Sequence, residues 1–184
     1  TLPANLAVCL HPEFVYVAVS HGDETYIVAE DLLSSLVAEW EMTDYKVLES
    51  CKGAEWENAV CRHPFIDRES KVILGDHVTL EQGTGCVHTA PGHGQDDYIV
   101  GLKYGLEPYN PVNNAGVFVP EVEHFGGMFV RKANPKIVEK LRQDGSLILA
   151  KDIKHSYPHC WRCHQPIIFR ATNQWFISMD KKDL

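Results

Sequence analysis

Gly83–Asp97, GTGCVHTAPGHGQDD, gathers four glycines, two histidines and two adjacent aspartates in fifteen residues. The preceding Lys71–Leu80 (KVILGDHVTL) is β-branched and punctuated by turn formers, which predicts a strand leading into the stretch. The following Tyr98–Leu106 predicts a helix with Tyr98, Leu102 and Tyr104 toward a core and Gly105 as its stop. Asp96 or Asp97 then stands at the helix start. A strand that runs through a glycine turn into a helix is a rigid device for aiming side chains at a ligand, so this is the candidate active site.

Working outward, Thr1–Asn5 is irregular and leads into an apolar Leu6–Leu10. Phe14–Ser20 and Thr25–Glu30 alternate at period two around His21-Gly22-Asp23 and predict a hairpin. Asp31–Trp40 places Leu32, Leu33, Leu36, Val37 and Trp40 on one stripe, an amphipathic helix with Asp31 near its cap. Tyr45–Cys51, Glu57–Cys61 and Ser146–Ala150 read as further strands, and Tyr109–Pro120 as a loop able to wall a cleft. Asn134-Pro135 is expected to open a helix that Gly145 ends, with Ile137, Val138 and Leu141 inward. The expected fold is α+β: a β-barrel core of short, mostly antiparallel strands with peripheral helices. Residues 1–150 form that domain, and 151–184 a basic connective segment.

A chain of 184 residues supports one domain with a small appendage, and its 45% hydrophobic content is ordinary for a globular protein. No apolar run approaches the roughly 20 residues that span a bilayer, and the first residues lack a signal-peptide pattern. The start without methionine is expected of a piece of a longer protein. Net charge is −8, with the acidity concentrated before residue 151. An acidic body argues against a broad grip on nucleic acid but leaves room for a pocket holding one nucleotide end. Six cysteines without a secretory signal read as reduced thiols of a cytoplasmic protein, and Cys9, Cys51, Cys61 and Cys86 as buried and inert.

His88, His93, Asp96 and Asp97 are metal-ligand types, but the histidines lack the i, i+4 spacing of a zinc-peptidase helix. Helix capping explains one aspartate. The other is free for a cation, a substrate ammonium as readily as a metal. Gly83-Thr84-Gly85 lacks a dinucleotide fingerprint and a P-loop lysine, yet glycines permit close backbone approach to an adenine edge. Cys160-Trp161-Arg162-Cys163 is half of a tetrahedral zinc site, with no second CxxC in the chain. His155, His159 or His164, or a pair outside the chain, would complete it. Structural thiols and a redox pair are the readings ranked behind zinc.

Gly83–Tyr98 (GTGCVHTAPGHGQDDY) resembles the second signature of the editing (CP1) domain inserted into isoleucyl-tRNA synthetases. Thr1–Asn5 resembles the end of that domain's threonine-rich peptide, and His155–Trp175 the segment returning the chain to the catalytic domain. Valyl and leucyl sister enzymes share the Gly-Thr-Gly start but generally lack histidine where His88 stands, which favours the isoleucine family.

The resemblance implies hydrolysis of the ester in valyl-tRNA mischarged on the isoleucine tRNA. One methylene in an apolar pocket supplies only about 1–3 kcal/mol of discrimination, a general magnitude for which this same enzyme family is the standard example. By the same resemblance Asp97 accepts the substrate's α-ammonium, and His88 walls a pocket that admits valine and rejects isoleucine. Thr1 and Asn5 place the water or terminal ribose. Gly83, Thr84, Gly85, Val87, Ala90 and Gly92 approach the terminal adenosine, with His93 and Asp96 beside them. Catalysis then rests on positioning water against a labile ester, with the substrate's ribose hydroxyl assisting. The family's further threonines and second cysteine pair lie upstream of Thr1, so the chain alone is expected to be weakly active or inactive. Editing needs no cofactor; ATP and magnesium belong to the parent's catalytic domain, and zinc to Cys160 and Cys163. Expected partners are the 3′ end of aminoacylated tRNA and the remainder of the synthetase, with no membrane and a monomeric chain. The alternatives are a non-catalytic module binding the tRNA end or a partner domain, and a metal hydrolase using His88, His93 and Asp96.

Overall fold

The computed structural model describes residues 1–152, 154 and 156–179. His155, one expected zinc ligand, lies outside the described residues. Strands β1 (Ala7–Leu10), β2 (Val15–His21), β3 (Glu24–Ala29), β4 (Tyr45–Lys52), β5 (Val60–Arg62), β6 (Glu69–Leu74) and β7 (Val87–Thr89) accompany helices α1 (Leu33–Glu39), α2 (Gln95–Lys103) and α3 (Val130–Gln143). Two sheets result, ordered β5-β6-β1-β7 and β3-β2-β4. The first pairs β1 parallel to β6 and antiparallel to β7, placing Val8 opposite both Val72 and His88. In the second, β2 and β3 form the expected hairpin over a two-residue Gly22-Asp23 turn, and Gly22 takes the positive φ such a turn requires.

The fold is mixed α and β with mostly antiparallel pairing, but the expected barrel does not close. Where β3 would join β7, the backbone turns twice through positive φ at Gly83 and Gly85, and β7 lasts three residues before Ala90-Pro91. Proline has no N–H to continue a ladder. The seam is held by single bonds instead. The Ala29 N–H donates to Thr84 O (2.8 Å), and the Tyr16 hydroxyl to Gly85 O (2.7 Å). Gly85 is required there, because a Cβ would lie 2.6 Å from the Ala29 methyl.

Several boundaries differ from expectation. The strand before the glycine stretch ends at Leu74, and Glu57–Cys61 contributes only the β5 strand from Val60. Ser146–Ala150 forms no strand. The helix at Asp31 begins as a 3-10 turn, Glu30–Leu32, without a side-chain cap from Asp31. Helix α2 starts three residues before Tyr98 and buries Val100 and Gly101, leaving Tyr98 and Leu102 exposed. Only Tyr104 of the expected face packs inward, and Gly105 does end the helix with φ +66°. Helix α3 opens at Val130, so Pro135 is internal; burying Ala133 and Ile137 favours the longer helix.

Among the described residues, three apolar clusters form the core. One joins the β2–β3 hairpin to α1, one packs β1 and β6 under α2, and one joins Phe118, Val122 and Phe125 to α3.

Candidate active site

The Thr1–Asn5 peptide is a 3-10 turn, Leu2–Ala4, opened by Pro3. Buried side chains hold it from behind. His63 is 2% exposed, and its Nε2–H donates to Leu2 O (2.9 Å) while Nδ1 faces the N–H groups of Phe65 and Ile66. Burial lowers its pKa, which matches that neutral ring. The Arg68 guanidinium donates to the carbonyls of Asn5 (3.0 Å) and Pro3 (3.2 Å) and stacks over Tyr109. Neither residue stood out in the sequence. The signal for them is only that a buried polar turn must find donors somewhere.

On β7, His88 faces this turn. Its Nδ1 lies 2.7 Å from Asn5 Nδ2, and its Nε2 lies 3.0 Å from Thr1 Oγ1. The Asn5 amide also donates to Ala7 O (2.9 Å) and accepts from the buried Ser70 hydroxyl. Burial chiefly, then the positive Thr1 amino group, depresses the His88 pKa to about 4, with Asp97 pulling the other way. His88 is therefore neutral at pH 7.

Asp97 is the third residue of α2. Its Oδ2 accepts from the Ala90 N–H (2.8 Å), and its carboxyl carbon folds to 2.7 Å from where a Cβ on Gly94 would sit. The helix cap is Gly94 itself, with no side-chain cap bond, so the expected division of capping between Asp96 and Asp97 does not hold. Asp96 is exposed. Val87 is paired with Cys9, and Gly92 O accepts from the Ala171 N–H.

His93 donates from Nδ1 to Phe169 O (2.9 Å), since a carbonyl only accepts, and its buried Nε2 has no partner. The ring stands between two cavities. One, of about 440 Å³, is lined by Thr1, His93, Phe118, Arg131, Asn134 and Phe169 among others. The other, of about 630 Å³, runs along Pro91–Gln95 and Tyr98 beneath Phe169–Gln174. His88 reaches the first only through Thr1, and Asp97 lines neither. The structure thus brings Thr1, Asn5, His88 and Ala90–Asp97 together, while Gly83 and Thr84 remain at the seam between the sheets.

Cys160 and Cys163 share a tight turn in which the N–H groups of Cys163 and Arg162 bond to the Cys160 sulfur and lower its pKa. That suits a thiolate. His159 turns its Nδ1 to Tyr157 O. Among the described residues, no group of three or more His, Cys, Asp or Glu is placed to hold a metal ion. His88, His93 and Asp96 therefore do not converge as the metal hydrolase reading requires.

No family model matches the chain. Relatives align over its entire length: the isoleucine–tRNA ligases of Desulfovibrio desulfuricans, Syntrophotalea carbinolica and Thioalkalivibrio sulfidiphilus are each 56% identical over 184 residues. Along its whole length the chain is thus homologous to a stretch of isoleucine–tRNA ligases. It spans about a fifth of the length of these relatives, 20% of each. In fold it is similar to the crystal structure of GlLeuRS-CP1, a leucyl-tRNA synthetase CP1 domain, at TM-score 0.65 and 16% identity, covering 83% of this chain and 80% of that one. Among the described residues no helix is long and apolar enough to cross a membrane.

Proposed function

We propose that this segment of an isoleucine–tRNA ligase is the editing site that hydrolyses the ester of valyl-tRNA formed on the isoleucine tRNA. The observation that carries the reading is the bonded line Asn5–His88–Thr1, which ends at Thr1 in the lining of the 440 Å³ cavity. Asp97 spends one oxygen on Ala90, which fixes its carboxylate and leaves the other for the substrate ammonium. His88, neutral and bonded at both nitrogens, backs Thr1 rigidly at the edge of the cavity. A rigid backing is what exclusion by size requires, because a mobile ring would yield to one methylene.

No group here is arranged as a strong general base, so water and ribose are positioned rather than deprotonated. The terminal adenosine lies along Gly92–Gln95, where the larger cavity opens. Tyr98 offers it a stacking face. The remainder of the synthetase is the standing partner, and the 3′ end of the aminoacylated tRNA the transient one. Zinc, where bound, sits at Cys160 and Cys163 with ligands from elsewhere in the synthetase, and supports the return segment rather than the reaction.

The test is deacylation of valyl-tRNA by this chain and by one extended upstream. Hydrolysis by the extended chain supports the reading, and its failure in both, with tRNA still bound, leaves a non-catalytic binding module. His88→Ala exposes correctly charged isoleucyl-tRNA to hydrolysis; continued protection removes the wall role.

A further inference from the structure

Asn5 has one orientation available. Ala7 O is a carbonyl and can only accept, so the amide nitrogen must face it (2.9 Å). The amide oxygen then faces the Ser70 hydroxyl, which donates to it. The second amide hydrogen points at His88 Nδ1 (2.7 Å), which must accept and so carries no proton. A neutral ring holds its one proton on the remaining nitrogen, Nε2, 3.0 Å from Thr1 Oγ1. The Thr1 oxygen therefore accepts, and its own hydroxyl proton is directed elsewhere. Thr1 lines the 440 Å³ cavity, where that proton is available to a ligand.

We propose that Asn5, its amide turned by the Ala7 carbonyl, locks His88 as the Nε2–H tautomer, so that His88 is a donor and the Thr1 hydroxyl is the group presented to an acceptor atom of the substrate. Asn5 is the positioning residue, and Thr1 is the one that touches the ligand. The acceptor belongs to an ester, a ribose hydroxyl or the attacking water, and the inference to that extent rests on the editing reading. The opposite tautomer would reverse the line: His88 Nε2 would accept from Thr1, and the cavity would meet a lone pair. Burial of Asn5 (5% exposed) excludes water as a substitute partner, so the direction of the whole line depends on the Ala7 carbonyl.

The experiment is nitrogen NMR of the labelled chain at neutral pH, with Asn5→Asp and Ser70→Ala beside it. The expected result is a pyridine-type His88 Nδ1 and a pyrrole-type Nε2. A protonated Nδ1, alone or in an imidazolium, overturns the proposal whether or not the variants fold. In Asn5→Asp, whose carboxylate can only accept, the His88 proton should move to Nδ1, and in the full-length synthetase kcat for deacylation should fall about tenfold with KM little changed. Ser70→Ala, which leaves the Ala7 carbonyl in place, should keep the Nε2–H tautomer. An unchanged tautomer and rate in Asn5→Asp would remove Asn5 from the line. A correct tautomer in an extended chain that does not deacylate leaves this inference standing and ends the editing reading.

Discussion

The Thr1–Asn5 turn and the return segment around Phe169–Ala171 both border His93, yet they are held by opposite means. The first is gripped by side chains, His63, Arg68 and Ser70, from a distant part of the sequence. The second is stitched mainly through its backbone: Ala171 to Gly92, Phe169 to His93, and Asn110 back to Ala171. Beyond it Trp175, Phe176 and Ile177 are 101%, 90% and 76% exposed. Side-chain clamps fix single atoms, whereas backbone bonds fix a path and tolerate substitution. The turn is therefore set atom by atom, and the Phe169–Ala171 stretch only along its path.

That contrast is sharpened most by Asp97→Ala, which should lower valyl-tRNA deacylation roughly 100-fold in the full-length synthetase by removing a charge-assisted anchor. A rate within a few-fold of the parent would detach the helix start from the reaction. Arg68→Ala should destabilise the chain by about 1.5–3 kcal/mol in urea unfolding, because two carbonyls lose a charged donor. Arg68→Lys should recover only part, since an ammonium does not reproduce the fork.

Acid should weaken the turn as well. The folded pKa of His88 is depressed to about 4 from an ordinary 6.5, so its neutral form is the one the fold accommodates. Between those values the unfolded chain binds the proton and the folded chain does not. Stability is then fully present above pH 6.5 and falls toward pH 4, by up to roughly 3 kcal/mol from this residue. His63 and His93, lowered in the same direction, add to the fall. Urea midpoints across that range measure it. A chain extended upstream, whose residue 1 carries an uncharged amide nitrogen, should show a smaller decline, because the amino-group charge that helps depress His88 is then gone.

The smallest effect belongs to the return segment. Replacing Cys160 and Cys163 by alanine should leave deacylation unchanged in the full-length synthetase while reducing zinc content. Lost editing would mean that the two regions are coupled after all.

The hairpin was legible because period-two alternation and a Gly-Asp turn are local signals. The Gly83–Asp97 stretch was legible by its chemistry, but strand β7 inside it was not, since three residues between glycine turns have no periodicity to read. Helix α3 was misplaced because Asn134-Pro135 imitates a start, and only the burial of Ala133 shows that the helix already runs. Ser70, Arg68 and His63 were invisible for a different reason. Their partners lie across sheets, 61 to 65 residues away, and nothing in HPFIDRES marks a serine as the support of an asparagine.

Strand β1 lies between β6 and β7, so the first residues of the chain must wait for partners made much later. Asn5 is 65 residues from Ser70 and 83 from His88. At a synthesis rate of about 5–20 residues per second, that delay is on the order of ten seconds on the ribosome. Until the parallel β1–β6 pairing forms, the Thr1 turn has neither its clamp nor its imidazole. A half-made chain therefore carries no finished turn, and the Thr1–Asn5–His88 arrangement is completed together with the most distant contacts of the fold.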